Sequence, residues 1–165
     1  MIDSADYVGR QVTDNWWLSK DGDAQARALF DRHYSRTRYQ DGRQPKLFVG
    51  PGFKRVLVRP AFPWGGIGSE YDALFVWRDF HSADGQQGVC CSIFRNESDV
   101  RSSRLILEAE EFIQMSELMS PRFYTYVNAA CVRSSNPGFC FIRAGWRRCG
   151  ATAGGLIILE KHNCL

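Results

Sequence analysis

The sequence predicts a single mixed α/β domain over residues 1–165, and three observations support this fold class. Short apolar segments of strand length precede one long amphipathic segment, after which a strand, a short helix and a last strand follow. A hydrophobic content of 44% in 165 residues is enough for one compact core. No apolar run approaches the roughly 20 residues of a membrane-spanning helix, so no membrane partner is expected.

The first part of the chain predicts one helix and two short strands. Residues 23–35 carry a mixed apolar face at helical spacing, which indicates a helix. Residues 47–49 and 55–58 are short apolar segments on either side of Gly50-Pro51-Gly52, a sequence typical of a turn. Residues 60–70 contain two prolines and three glycines, so we expect a loop there.

Two strands and a long helix form the middle of the predicted domain. Residues 72–78 are almost continuously apolar, and residues 88–96 return as a second strand after a turn at Asp84-Gly85. A long helix follows, and the hydroxyl of Ser102 or Ser103 is expected to cap it by accepting a backbone N–H bond. The apolar positions of this helix are Leu105, Ile106, Ala109, Phe112, Ile113 and Leu118.

The last part of the chain has a recognisable order of residue types. Residues 136–144 predict a short helix that Asn136 opens, and residues 156–160 predict a closing strand. Phe141 stands four residues before a glycine, and this glycine is followed by an aromatic residue in the step Gly145-Trp146. This order resembles the last module of the GCN5-related N-acetyltransferase (GNAT) superfamily.

The resemblance implies a GNAT-like mixed central sheet flanked by helices, with a V-shaped cleft between the two middle strands. Those strands would be residues 89–94 and 123–127, and the pantetheine arm of the cofactor would lie between them. The resemblance further implies an acyl-CoA-dependent N-acyltransferase that uses acetyl-CoA or another acyl-CoA. Transfer would be direct, with a backbone N–H of the strand before the long helix stabilising the oxyanion.

The connection from residue 94 to residue 104 is where the resemblance puts the CoA pyrophosphate. A helix N-terminus attracts anions through its free N–H groups and dipole, and nearby arginines can pair with phosphate. The glycine-rich signature of many GNAT enzymes is absent here, and an ordinary capped helix with solvated arginines is the alternative. The residues expected at the cofactor are Phe94, Arg95, Arg101, Ser102, Ser103, Arg104, Asn136 and Phe141.

Candidate catalytic residues come from two further places. His33-Tyr34 resembles a pair found in Mom-type proteins, the phage DNA-modification branch related to GNAT folds. A histidine titrates near neutral pH, so His33 could act as a base or a metal ligand, although a partly exposed histidine at a helix end is the alternative. Asn96 and Glu97 follow a central strand, where open α/β sheets bind ligands, and Glu97 could be a general base or a solvated acid.

The general acid is not evident from the sequence. Many GNAT enzymes have a tyrosine where this chain has Phe141, and a phenyl ring has no proton to donate to a leaving thiolate. Tyr124 is the candidate substitute, and a packed core aromatic is its alternative.

A cluster of arginines follows the first predicted helix. In GNAT folds this segment faces the acceptor, so Arg32, Arg36, Arg38 and Arg43 would suit phosphate contacts with double-stranded DNA. The net charge is only +3, so such a patch would be local. The resemblance to Mom suggests a phage-encoded protein that modifies a DNA base. The alternatives are an acyltransferase for a small-molecule or protein amine, and a GNAT-shaped binding protein without catalysis.

Cysteine usage and the first residues bear on location. The six cysteines form no C-x-x-C pair, which gives a zinc site little support. The first residues lack the basic and apolar regions of a signal peptide. We therefore expect reduced thiols and a cytoplasmic protein, in a bacterial host cell if phage-encoded.

Overall fold

The computed structural model describes residues 8–34, 38–62, 64–132 and 135–163. Within these ranges, seven strands form one sheet, and three helices accompany it. The strands are β1 (Trp17–Ser19), β2 (Phe53–Pro60), β3 (Tyr71–Asp79), β4 (Val89–Asn96), β5 (Arg122–Val127), β6 (Arg147–Ala151) and β7 (Ile157–His162). The helices are α1 (Arg27–Asp31), α2 (Ser102–Gln114) and α3 (Phe139–Arg143).

The sheet has the order β1-β2-β3-β4-β5-β7-β6 and contains one parallel pair. Strands β4 and β5 are parallel, whereas every other neighbouring pair is antiparallel. Parallel neighbours need a crossover connection, and α2 supplies it here. The predicted fold class, a mixed sheet flanked by helices, is confirmed.

The two faces of the sheet carry separate apolar cores, because successive side chains of a strand point to opposite faces. On β3, Phe75 and Trp77 join the buried apolar residues of α2 and α3 in one core. Leu74 and Val76, from the same strand, pack with Phe30 of α1 in the other core. The sheet therefore lies between α2 and α3 on one face and α1 on the opposite face.

The first helix is shorter than predicted. It begins at Arg27 and ends at Asp31, whereas the sequence predicted residues 23–35. The reason is local, because Asp23 Oδ1 accepts the backbone N–H groups of Gln25 at 2.7 Å and Ala26 at 3.3 Å. These bonds form a turn in place of a first helical turn, as aspartate side chains often do. Ser35, the last residue of the predicted range, lies outside the described residues.

The predicted strand at residues 47–49 is wrong. These residues form bends, and the Phe48 backbone N–H donates to Asp21 Oδ1 at 2.6 Å. The same carboxylate binds Lys54 Nζ at 2.7 Å. Asp21 therefore holds this segment through a side chain, and no neighbouring strand pairs with it there.

Two strands at the edges of the sheet were not predicted from the sequence. Strand β1 has three residues, too few for an alternating pattern to be visible. Strand β6 is exposed at all five of its residues, so its sequence shows no apolar face. Both strands owe their conformation to pairing with a longer neighbour, β2 in the first case and β7 in the second.

The core on the α2 side contains a polar contact between Trp146 and Glu110. The Trp146 side chain is 2% exposed, and its indole N–H donates to Glu110 Oε1 at 2.6 Å. Lys161 Nζ binds the other oxygen of this carboxylate at 3.0 Å. The Trp146 ring also lies 4.8 Å from that of Phe141, so Trp146 and Glu110 together link α2, α3 and β7.

Replacing Trp146 by alanine should lower the free energy of unfolding by about 3–5 kcal/mol, because it leaves a cavity and an unpaired buried carboxylate oxygen. Chemical denaturation of the parent and of Trp146→Ala measures the difference. The control is Trp64→Ala, since the Trp64 side chain is 85% exposed and its loss should cost little. Equal stability of Trp146→Ala and the parent would contradict the structural role.

Candidate active site

The pairing of the two middle strands is incomplete. Strand β5 pairs with β4 only at Val89–Phe123, Cys90–Tyr124 and Cys91–Thr125, although β4 continues to Asn96. We call the gap between residues 92–96 of β4 and residues 126–127 of β5 the β4–β5 opening. It is the V-shaped cleft that the sequence resemblance implied.

A β-bulge marks the start of the β4–β5 opening. On the other side of β4, Val76 of β3 pairs with Ile93, but Trp77 pairs with Cys91, so Ser92 is the extra residue. An extra residue bends a strand and increases its local twist. The pairing of β4 with β5 ends at Cys91, immediately before this extra residue.

Backbone groups of β4 face the β4–β5 opening. The Glu97 N–H donates to the Asp72 carbonyl at 2.7 Å, toward β3. Backbone groups of alternate residues in an antiparallel strand point to the same side. The polar groups of Arg95 therefore also point to β3, whereas those of Phe94 and Asn96 point into the β4–β5 opening.

A cavity of about 150 Å³ lies at the β4–β5 opening. Its walls come from β4, β5, α3 and the segment after α1. The lining residues are His33, Tyr34, Cys91, Ser92, Phe94, Thr125, Tyr126, Val127, Val132, Gly138, Cys140 and Phe141. His33, Tyr34, Phe94 and Phe141 were predicted site residues, and the structure brings all four to this cavity.

His33 and Tyr34 lie across the β4–β5 opening. His33 is 7% exposed and forms a hydrogen bond with the Phe94 backbone. The Tyr34 hydroxyl donates to the Tyr126 carbonyl on β5 at 3.2 Å. The two rings stack with centroids 4.5 Å apart. The helix-end histidine is thus buried, and the adjacent pair contacts both strands.

Burial changes the pKa values of this pair. Desolvation, with a smaller contribution from the Arg95 charge, lowers the His33 pKa from 6.5 to about 4, so its imidazole is neutral at pH 7. Burial raises the pKa of the Tyr34 phenol, which keeps its proton. The site therefore offers a neutral imidazole beside a protonated phenol.

Glu97 binds two arginines. Its carboxylate accepts from Arg32 through Nε at 2.7 Å and Nη2 at 2.6 Å, and from Arg95 Nε at 2.7 Å. The hydrogen bonds from Arg32 hold the Glu97 pKa below its usual range. A base needs a free lone pair and a pKa near the working pH, so these contacts favour an anchoring role for Glu97.

Asn96 organises the turn from β4 into α2. Its amide Nδ2 donates to the Val100 carbonyl at 2.8 Å and to Ser102 Oγ at 2.9 Å. Its Oδ1 accepts from the backbone N–H and the hydroxyl of Ser98. Asn96 therefore fixes the start of α2 relative to the end of β4.

The predicted serine cap of α2 is wrong. The N-cap residue is Arg101, and no side chain caps the helix there. The Ser102 hydroxyl instead accepts from Asn96, while Arg104 pairs with Glu108 at 3.3 Å and with Asp14 at 3.7 Å. Because no side chain caps the first turn, the N-terminus of α2 fits an anionic group such as a phosphate.

The aromatic candidates lie in different places. Phe141 packs with its edge against Phe94, at 6.0 Å between centroids, and forms an apolar wall of the cavity. Tyr124 is fully buried in the paired part of β5, opposite Cys90, and burial raises its pKa. Tyr126 lines the cavity, and its hydroxyl donates to Asp84 at 2.6 Å.

Asn136, the remaining predicted cofactor residue, is exposed. Its backbone carbonyl accepts the Phe139 N–H at 3.1 Å, immediately before α3.

Solved acetyltransferase structures share this architecture. An acetyltransferase of Thermus thermophilus matches with a TM-score of 0.53 at 16% identity, over 90% of this chain and 97% of that one. A protein described as a GNAT-family acetyltransferase of Bordetella pertussis matches at 0.51 and 13% identity, over 92% and 98%. The chain has the GNAT fold. At these identities the likeness concerns the fold alone.

The GNAT domain of S. lividans PAT gives a TM-score of 0.50 at 18% identity over 67% of this chain. The match spans 61% of the length of that protein. No protein-family profile and no curated protein matches the sequence.

The arginines predicted for DNA binding have different contacts among the residues that the structure describes. Arg32 binds Glu97, as described above. The Arg43 guanidinium lies 4.1 Å from the ring of Tyr39 and 3.4 Å from Asp41. Arg38 is exposed, and Arg36 lies outside the described residues.

The described ranges of the chain contain neither a metal-binding cluster nor a membrane-spanning helix. Among these residues, no group of three or more His, Cys, Asp or Glu side chains could hold a metal ion. No described helix is both long and apolar enough to cross a membrane.

The buried neutral state of His33 should make stability depend on pH. The unfolded chain takes up a proton near pH 6.5, whereas the folded chain does so near pH 4. Stability should therefore fall by about 3 kcal/mol as pH drops from 7 to 4. Urea denaturation of the parent and of His33→Gln at several pH values isolates this contribution, because all other groups titrate in both proteins. Parallel pH profiles would contradict it.

Proposed function

We propose that this protein is an acyl-CoA-dependent N-acyltransferase. The observation that carries the proposal is the β4–β5 opening, where Phe94 lines a cavity and the backbone groups of Phe94 and Asn96 point away from β3. Backbone groups that do not pair within the sheet need other partners, such as His33 at Phe94, and an extended acyl-CoA arm carries amide groups suited to pair with them. The GNAT fold of acetyltransferases agrees with this use of the opening.

The start of α2 would hold the phosphates of the acyl-CoA. Its first turn carries no side-chain cap, and Arg101 is exposed beside it. Free N–H groups, the helix dipole and a guanidinium all favour a pyrophosphate. Asn96 keeps this helix start next to the end of β4, so the phosphate site and the β4–β5 opening are adjacent along the chain.

The residues around the cavity suit direct transfer to an amine. Bound acyl-CoA would supply the thioester carbonyl, and a backbone N–H of β4 at the opening would stabilise the oxyanion. His33 is neutral at pH 7, so its imidazole can accept a hydrogen bond from the attacking amine and orient it, while a pKa of about 4 makes it a weak base. Tyr34 keeps its proton and can donate a hydrogen bond to the departing sulfur.

The phosphate site is tested with Ser103→Asp combined with Arg101→Glu. The new carboxylates should weaken acetyl-CoA binding by about tenfold or more through like-charge repulsion. An acidic residue in the first helical turn is favourable to the helix, so the variant should stay folded. Isothermal titration calorimetry measures the affinity.

The control for this variant is Arg148→Glu, which reverses the charge of an exposed arginine on β6. This control should bind acetyl-CoA as the parent does. Equal affinity of the double variant and the parent would remove the assignment of α2 as the phosphate site.

We further propose that the acceptor is a nucleobase amine in DNA, as in the phage Mom-type proteins. The support is the His33-Tyr34 pair at the β4–β5 opening and the arginines that follow it in the sequence, of which Arg38 is exposed. A base modified in duplex DNA must leave the stack to reach such a cavity. A small-molecule or protein amine is the alternative acceptor.

One observation favours a protein that binds without catalysis. The position of the usual tyrosine acid is the phenyl ring of Phe141, packed against Phe94. Such a protein would bind acetyl-CoA and transfer no acyl group, so an assay of product formation separates it from the enzyme.

The DNA proposal predicts a steep decrease of duplex DNA binding with salt, because phosphate contacts release counterions. Arg36→Ala with Arg38→Ala should reduce the salt slope by about one unit for each lost contact. Arg148→Ala, far from α1 in the sequence, is the matched control and should keep the slope. His33→Ala should bind DNA as the parent does but leave its bases unmodified, as nucleoside mass spectrometry would detect.

Salt-independent binding, together with unmodified nucleosides in DNA from cells that express the parent, would exclude DNA as the acceptor. Acetyl transfer to other amines would then be the better proposal.

A further inference from the structure

A short piece of the chain crosses the β4–β5 opening. We propose that residues 32–34 form a strap that closes the opening in the free protein and that acyl-CoA must displace in order to bind. The identity of the displacing ligand rests on the proposed function. The strap itself rests on contacts that are independent of any ligand.

The strap contacts both walls of the β4–β5 opening. On one side, His33 forms a hydrogen bond with the backbone of Phe94 on β4. On the other side, the Tyr34 hydroxyl donates to the Tyr126 carbonyl on β5 at 3.2 Å. The stacked rings of His33 and Tyr34 fill the space between these contacts. The strap therefore links two strands that have stopped pairing with each other.

Glu97 fastens the strap to β4. Its carboxylate binds the Arg32 guanidinium through two hydrogen bonds of 2.6 and 2.7 Å. Arg95 binds the same carboxylate and also donates to the Arg32 carbonyl at 2.9 Å. Glu97 and Arg95 thus hold both the side chain and the backbone of the first strap residue, and we call these two residues the latch.

The strap competes with an acyl donor for the same space. The groups it uses, at Phe94 and Tyr126, are those that an extended arm between the strands would reach. The remaining cavity is about 150 Å³. Ligand pockets in proteins are typically about 300–1,000 Å³, so the arm of a CoA thioester needs more room than the strap leaves.

The Arg32–Glu97 pair and Tyr34 lie outside the two apolar cores. The Arg32 side chain is 48% exposed and that of Glu97 is 29% exposed, so solvent screens their attraction. Tyr34 is 40% exposed. The apolar residues that anchor α1 itself, Leu29 and Phe30, precede the strap and belong to a separate core. A ligand therefore has to overcome only local contacts.

Two variants open the latch from opposite sides. Glu97→Gln removes the carboxylate from β4, and Arg32→Gln removes the guanidinium from the strap. The accessibility of His33 is measured by its carbethoxylation with diethylpyrocarbonate, followed by mass spectrometry. Acetyl-CoA affinity is measured by calorimetry. Both variants should react faster at His33 and bind acetyl-CoA about tenfold more tightly, because a larger fraction of molecules is open.

The two substitutions change the net charge in opposite directions. A direct electrostatic effect on the anionic ligand would therefore tighten binding in one variant and weaken it in the other. Glu117→Gln is the matched control, because Glu117 pairs with Arg55 at 2.8 Å and has a largely exposed carboxylate. This control should leave His33 protected and the affinity unchanged.

The outcomes separate the strap from the proposed function. If acetyl-CoA binds the parent while His33 stays protected, or if neither variant changes the reaction of His33, the strap proposal is overturned. If no protein binds acetyl-CoA but both variants expose His33, the strap is supported as a closure and the proposed function fails. Faster reaction of His33 when acetyl-CoA binds the parent supports both.

Discussion

Strands β4 and β5 pair through three residues and then separate, and the candidate site depends on this separation. Each unpaired backbone group in a protein interior is costly, by roughly 1–3 kcal/mol when it finds no partner. The structure meets this cost within the chain, because His33 bonds to the backbone of Phe94 and Tyr34 to that of Tyr126. A ligand that replaced these side chains would have to supply equivalent hydrogen bonds.

The separated strands keep their positions because each is supported from its other side. Strand β4 pairs with β3 as far as Asn96, and β5 pairs with β7 along all six of its residues. Glu160 of β7 strengthens the second wall, since it binds Arg122 of β5 at 2.7 Å and Arg147 of β6 at 2.8 Å. Hydrogen bonds from Arg122 hold the Glu160 pKa at about 2, so this carboxylate stays ionised. The β4–β5 opening therefore lies between two strands that their other neighbours hold in place.

The elements that apolar patterning specifies could be predicted from the sequence. Strands β3, β4, β5 and β7 and helix α2 follow from apolar segments, and these elements build the walls of the site. The edge strands β1 and β6 do not follow, because their conformation comes from a neighbour and their side chains show no pattern. The predicted strand at residues 47–49 fails for a related reason, since the long-range bond from Asp21 to Phe48 decides the local conformation.

For the candidate site, too, the sequence predicts some residues and misses the roles of others. Adjacent residue types indicated His33-Tyr34, and the structure brings this pair to the cavity. The roles of Asn96 and Glu97 depend on partners distant in the sequence, such as Arg32, or on a turn whose geometry only the folded chain defines. The bulge at Ser92, where β4 stops pairing with β5, leaves no sequence signal, because its residue type is compatible with an ordinary strand.

The phenyl ring at position 141 is consistent with this arrangement of the site. Phe141 packs between Phe94 and Trp146, so a hydroxyl on that ring would enter a largely apolar contact. The phenol of Tyr34 lines the same cavity and donates a hydrogen bond to the Tyr126 carbonyl. Its raised pKa exceeds the roughly 8.5 of an ordinary thiol, so it would stabilise a departing thiolate by a hydrogen bond and keep its own proton. In this site, catalysis would depend on where residues 32–34 lie once the acyl donor is bound. It would not depend on a tyrosine acid at position 141 of α3.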